Sequence, residues 1–470
     1  IIVRSSSLLE DAYGNAFSGK YESVFLANQG TPQERLERFL DAVRLVYTST
    51  LDREALAYRA HWGLLDRDEQ MAVLVQRVSG SVYGDMFFPQ VAGVGISYNP
   101  YAWSKEIDPD AGMMRLVFGL GTRAVDRVDD DYSRIVAINA PLRRPESCSE
   151  DVGRYSQRWG DVIDLKENRL TSLPFEEVVR KAPGIPLDIF TSRDLDLERR
   201  MHESGRDDVF SLVLTFEELL SKGSFVDRMR EMLSTLEEAY EHPVDTEFTA
   251  NFNDLDDYRM NLLQCRPFQA KGGALGLKES CDAAPDRVLL SSIGHVIGSS
   301  RAVTVDLVIY VVPEVYGSMR MSDRYAVARL IGKLTHLNGP GERPTILLAG
   351  PGRWATTSPE MGVPVSFSEI NTVSILCEII SMHEGLVPEA SLGTHFFNDL
   401  VESDMIYCAV YPERDGYVLD RDFFSGSDNR LASLLPDAAP FDSVIKVIDA
   451  RRLGVKVCSD VRKQTFTCFR

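Results

Sequence analysis

Two short segments near the middle of the chain constrain its folding most. Residues 243–249 (PVDTEFT) and 260–266 (MNLLQCR) largely alternate polar with apolar side chains, and a polar stretch, NFNDLDDYR, separates them. Period-two alternation predicts two half-buried strands, and the polar connector predicts an antiparallel hairpin. Asp245 and Glu247 then project from one face, as do Gln264 and Arg266, while Val244, Phe248, Leu263 and Cys265 turn to a core. Two carboxylates, an amide and a guanidinium on one wall suit a divalent cation beside a phosphate, because magnesium takes hard oxygen ligands. A solvated hairpin face is the plainer alternative.

Three further segments carry candidate chemistry. Val3-Arg4-Ser5-Ser6-Ser7 is followed by Glu10-Asp11 and by GNAFSGKYE at 14–22. An Arg ending a strand, with hydroxyls and Gly-containing turns after it, can hold phosphate through side-chain and backbone donors; a surface loop is the alternative. Gly119-Leu120-Gly121-Thr122 offers a turn that a ligand can approach closely, or a plain turn. Gln76 lies in the apolar segment 71–78, placed either to meet a ligand or to cap the strand. The chain opens Ile-Ile-Val-Arg, which reads as the middle of a strand, so the true N-terminus is expected upstream.

With 470 residues, two or three domains are expected. Asp and Glu number 70 against 51 Lys and Arg, a net charge of −19, which argues against a duplex nucleic-acid partner and against anionic lipid. A local Arg cluster or a bound metal can still reverse the field within one cleft. No apolar run reaches the ~18 residues of a membrane span. Seven scattered cysteines without a CxxC pair predict reduced thiols in a cytoplasmic protein and no zinc site.

Helices are predicted over 35–47 (Leu36, Phe39, Leu40, Val43 and Leu45 on one stripe), 225–240, 323–337 and 369–382. Strands are predicted over 71–78, 135–138, 305–312, 345–349, 405–411 and 444–448. Residues 141–200, rich in Pro, Arg and Glu, read as a lid or connector. QAKGGALGLKES at 269–280 reads as a domain boundary, and the alternation beyond it as a second α/β domain over 280–470.

Taken in order, VRSS, ED, F.G.YES, MAVLVQ, GLGT.AV, D.EF and LQCRP resemble the nucleotide-binding domain of phosphoenolpyruvate synthase and pyruvate phosphate dikinase over about 1–270. GLGTRAVDRVDDDYSR is similar to a more distant branch, since the classical synthases tend to carry Glu where Thr122 stands. The resemblance implies an α/β (α+β), ATP-grasp-like domain, N-terminally incomplete, clamping ATP and Mg²⁺ between two lobes. It implies that Arg4 contacts the phosphates, that Glu247 and Gln264 bind metal and nucleotide, and that Asp245 supports them. Arg266 matches the family's Q.RP segment.

The family's phosphate-binding Lys, its phosphohistidine domain and its pyruvate-binding barrel have no counterpart in this sequence, and His295 does not fit the phosphoacceptor context. The resemblance therefore implies a phosphotransferase whose acceptor domain lies outside this chain. A non-catalytic nucleotide sensor or scaffold with a degenerate ATP site is the rival reading. A homodimer is among the possible assemblies. In the C-terminal half, Gly350-Pro351-Gly352-Arg353-Trp354 reads as an anion-binding nest or a tight turn, and His395 as an acid–base group, a phosphoacceptor or a buried helix-start histidine. An independent enzyme built on Arg353 and His395 is the third reading.

Overall fold

The computed structural model describes residues 1–7, 21–53, 55–56, 59, 65–66, 68–99, 106–125, 131–144, 152–153, 156–205, 209–268, 283–294, 296–298, 300–337, 344–354, 356, 359–381, 400, 405–461 and 463–470. The Glu10-Asp11 segment, most of GNAFSGKYE, the 269–280 linker, His295 and the segment around His395 lie outside these residues. The chain forms two compact units, 1–99 with 110–269 and 100–109 with 270–470.

The first unit contains strands β1 (Ile2–Ser7), β2 (Ser23–Phe25), β3 (Met71–Gln76), β4 (Ser81–Tyr83), β5 (Met86–Phe88), β6 (Val91–Ile96), β7 (Met113–Val117), β8 (Arg134–Ala137), β9 (Trp159–Asp164), β10 (Arg169–Pro174), β11 (Thr191–Arg193), β12 (Leu212–Leu214), β13 (Val244–Phe252) and β14 (Tyr258–Pro267). Its longer helices include α1 (Pro32–Ser49), α2 (Phe175–Lys181) and α3 (Phe225–Tyr240). The strands form antiparallel sheets ordered β2-β1-β3, β10-β9-β5-β4, β11-β12 and β14-β13-β6-β7-β8.

Thr31 and Glu34 form a capping box that starts α1, with Pro32 in its first turn. The helix sits on β1 through Ala42 and Val46, which pack against Val3. Only Phe39 and Val43 of the expected stripe pack there, while Leu36, Leu40 and Leu45 are exposed. The small residues, rather than the large ones, allow the close approach. In α3, Phe225, Val226, Met229 and Leu233 are buried, against a core containing Phe88, Phe118, Phe190 and Phe248.

Two expectations are corrected here. Residues 141–200 are no mere lid: β9 and α2 supply Val162, Ile163, Phe175 and Val178 to that core, and Leu173 of β10 packs against it. Their charged neighbours dominate the composition, but a few well-spaced apolar side chains decide the packing. The polar connector is also shorter than expected, since β13 runs to Phe252 and β14 starts at Tyr258, whose rings stack at 4.8 Å.

The second unit contains β15 (Val288–Ile293), β16 (Val296–Ile297), β17 (Arg301–Thr304), β18 (Leu307–Val311), α4 (Met321–Thr335), β19 (Ile346–Pro351), β20 (Arg353–Trp354), β21 (Gly362–Val363), β22 (Ile375–Ile379), β23 (Ile406–Val410), β24 (Val418–Leu419), β25 (Ile445–Asp449), β26 (Lys456–Asp460) and β27 (Thr465–Phe469). One sheet is ordered β16-β23-β22-β19-β18-β25, with a parallel centre from β23 to β18. A second, antiparallel sheet is ordered β17-β26-β27-β15-β24. The helix expected over 369–382 is instead a short turn of helix, Phe367–Ile370, followed by the wholly buried strand β22. A strand covered on both faces is continuously apolar, so periodicity does not separate it from a buried helix. Cys265, Cys377, Cys408 and Cys468 are free, whereas Cys458 is disulfide-bonded, against the expectation that every thiol is reduced.

Candidate functional site

The hairpin register sets the site. Asp245 pairs across from Arg266, and Glu247 from Gln264. Arg266 donates to Asp245 Oδ2 twice, from Nη2 at 2.6 Å and from Nε at 2.9 Å. Arg4 reaches the same hairpin from a different sheet. Its Nη1 donates to Glu247 Oε2 at 2.9 Å and its Nη2 to Gln264 Oε1 at 2.7 Å. The alternation of β1 explains this reach: Val3 is turned into α1, so Arg4 faces the other way. The Arg4 and Glu247 side chains retain 17% and 20% of their exposure, so a ligand can reach both.

Beside this cluster lies a cleft of about 170 Å³ between the β2-β1-β3 sheet and the face of β6, β13 and β14. Ile2, Phe25, Val78, Leu120, Phe248 and Leu263 give it apolar walls, and Arg4, Gln76, Glu247 and Thr249 line it with polar groups. Leu263 faces the cleft rather than the core, a correction caused by a β-bulge. Glu247 pairs with Gln264 but Phe248 with Leu262, which leaves Leu263 as the extra residue on β14. Gln76 Nε2 lies 3.4 Å from the Leu263 carbonyl oxygen, tying β3 to that bulge.

Ser5 does not join the cluster; it is buried on the Val3 face of β1. Asp245 and Arg266 are paired with each other and lie outside the cleft lining. Gly121 lines the cleft and Gly119 does not. Gly119 has φ +92°, and a Cβ there would fall 2.7 Å from the Asp161 carbonyl oxygen. Its role is a close approach to β9 in a conformation that favours glycine.

The residues that hold this turn were not anticipated. Asp161, buried, accepts from Thr122 Oγ1 and Ser172 Oγ, both at 2.5 Å, and from Arg123 Nε at 3.0 Å. Arg123 also donates to Asp131 Oδ2 at 2.7 Å. Burial pushes the Asp131 carboxyl up, against the lowering effect of the Arg158 amide and the Arg123 guanidinium. Arg123 and Asp131 stand in GLGTRAVDRVDDDYSR, where the acidic run looks solvated; Asp161 has no local signal.

Among the described residues no group of three or more His, Cys, Asp or Glu is arranged to hold a metal. Glu247 and Gln264 still present two hard oxygens to one cation, the Arg4 guanidinium. Magnesium takes one or two protein oxygens and completes its shell from phosphate and water, so this donor set fits magnesium accompanied by phosphate. Asp245 is committed to Arg266.

In the second unit, Gly352 takes φ +61° after β19, and the next turn is locked from inside. Glu378, fully buried, accepts from the Trp354 amide at 3.1 Å and from Tyr407 Oη at 2.8 Å. The Trp354 amide is thus spent on a carboxylate and does not contribute to an anion nest.

The first unit thus holds a cleft between antiparallel sheets, apolar along its walls, with the Arg4–Glu247–Gln264 cluster beside it. The family described as pyruvate phosphate dikinase, AMP/ATP-binding domain, matches residues 1–281, and the chain belongs to that family. Its matched part is therefore an AMP/ATP-binding module of the pyruvate phosphate dikinase and phosphoenolpyruvate synthase family. No curated protein matches the chain.

Proposed function

We propose that this chain is the Mg-ATP-binding module of a phosphotransferase of the phosphoenolpyruvate synthase type, with an ATP-grasp-like site occupying residues 1–270. The observation that carries this reading is the bridging of Glu247 and Gln264 by Arg4 at the edge of the apolar cleft. Arg4 receives the phosphates, and the walls formed by Phe25, Leu120 and Leu263 receive the nucleoside and exclude water. Glu247 and Gln264 hold Mg²⁺, which supplies charge neutralisation of the phosphate oxygens. Asp245 keeps Arg266 paired and the hairpin in register. The phosphoryl group passes to a histidine of an acceptor domain not present in this chain.

One observation favours the rival reading of a non-catalytic sensor. Thr122, at the position where classical synthases carry Glu, gives its hydroxyl to Asp161 and supplies no acid to the cleft. Calorimetric titration with Mg-ATP and a phosphate-release assay, run on wild type and Glu247→Gln, separate the two. Loss of magnesium-dependent binding and turnover in the variant is expected. Binding without turnover in the full-length wild type assigns the sensor, and unchanged affinity and turnover in Glu247→Gln removes the site assignment.

A further inference from the structure

Thr249 lines the same cleft and is 5% exposed. Its Oγ1 is buried and has no hydrogen-bond partner; among the described cleft-lining residues no other side chain is in that position. Burying a hydroxyl without a partner costs stability, so the group is either paid for by a ligand or is a plain defect. Its place argues for the ligand. Thr249 lies two residues beyond Glu247 on the cleft side of β13, roughly 7 Å along the strand. A ligand whose anionic end meets Arg4 therefore lays its next portion past Thr249. The neighbouring Asn251 and Asn261 Nδ2 groups donate to Ser79 Oγ at 2.8 and 2.9 Å, and Asn251 Oδ1, outside the cleft lining, is a second buried atom without a partner on that strand.

We propose that Thr249 is a specificity-determining residue whose hydroxyl hydrogen-bonds the nucleoside half of the bound nucleotide. This rests on the reading of the cleft as a nucleotide site.

The test compares wild type, Thr249→Val and Thr249→Ser by calorimetry with two probes, Mg-ATP and magnesium tripolyphosphate, and by thermal unfolding without ligand. Thr249→Val should bind Mg-ATP about fivefold more weakly, the fold-change of one neutral hydrogen bond. It should bind tripolyphosphate as wild type does and unfold at the same or a higher temperature. Thr249→Ser, which keeps the hydroxyl, should retain wild-type affinity for both probes. Equal Mg-ATP affinity in Thr249→Val overturns the inference while leaving the nucleotide site standing. An equal loss for ATP and tripolyphosphate also overturns it, because it marks a structural role. A wild type that binds neither probe overturns the underlying site reading as well.

Discussion

At the scale of single residues, the proposed site sets Arg4 and a metal ion in competition for the same two oxygens, those of Glu247 and Gln264 that Arg4 now holds. A hydrogen bond between charged groups contributes about 1.5–3 kcal/mol, so removing Arg4 should release that much affinity for a cation. Arg4→Gln is expected to bind Mn²⁺ alone about tenfold more tightly than wild type, and ATP more weakly. In wild type, ATP should strengthen Mn²⁺ binding, because phosphate draws Arg4 away from Glu247. Water-proton relaxation titrations measure both; a variant that binds Mn²⁺ no better than wild type would sink this competition. The facing of Asp245, Glu247, Gln264 and Arg266 was legible in the sequence, since strand alternation depends only on spacing. That Arg4 comes to the same point was implied by resemblance alone, because no local rule brings residue 4 to residue 247. The burial of Ser5 follows from the same alternation once Arg4 is fixed in the cleft.

At the scale of elements, the turn after β7 depends on Asp161 in β9. Three donors converge on that buried carboxylate, one of them the Arg123 guanidinium. Breaking one partner of a buried pair leaves the other uncompensated, at a cost of about 3–5 kcal/mol, here lessened because Arg123 keeps Asp131. Asp161→Ala is therefore expected to destabilise the first unit by about 3 kcal/mol in urea unfolding, and Asp161→Asn, which retains one acceptor, by less. A loss under about 0.5 kcal/mol, the range of ordinary surface substitutions, would show that the cluster does not hold the turn. Elements with one buried face, such as α3 and the hairpin, could be read from periodicity. The bulge that turns Leu263 into the cleft could not, because it is set by the register of β13 against β14, which the alternation within either strand does not report. Nor could β22, whose two covered faces remove the alternation that marks a strand.

At the scale of the whole molecule, the two units give different answers to where a nucleotide should sit. The family match ends at residue 281, and the cleft with its Arg4 cluster belongs to the first unit. The parallel sheet of the second unit also has strand ends of the kind that often bind ligands, with GPGRW starting in the last two residues of β19. There, however, the Trp354 amide and the Tyr407 hydroxyl already meet the Glu378 carboxylate. Among the described residues no helix is long and apolar enough to cross a membrane. Hydrogen exchange on the full chain, with and without saturating Mg-ATP, places the ligand directly, because a bound ligand stabilises the state it binds by mass action. Amides of β1, β13 and residues 119–122 should gain protection, while those of β19 and β22 stay within their ligand-free rates. Protection confined to residues 350–354 and β22 would move the nucleotide to the second unit and leave the Arg4 cluster a structural ion pair.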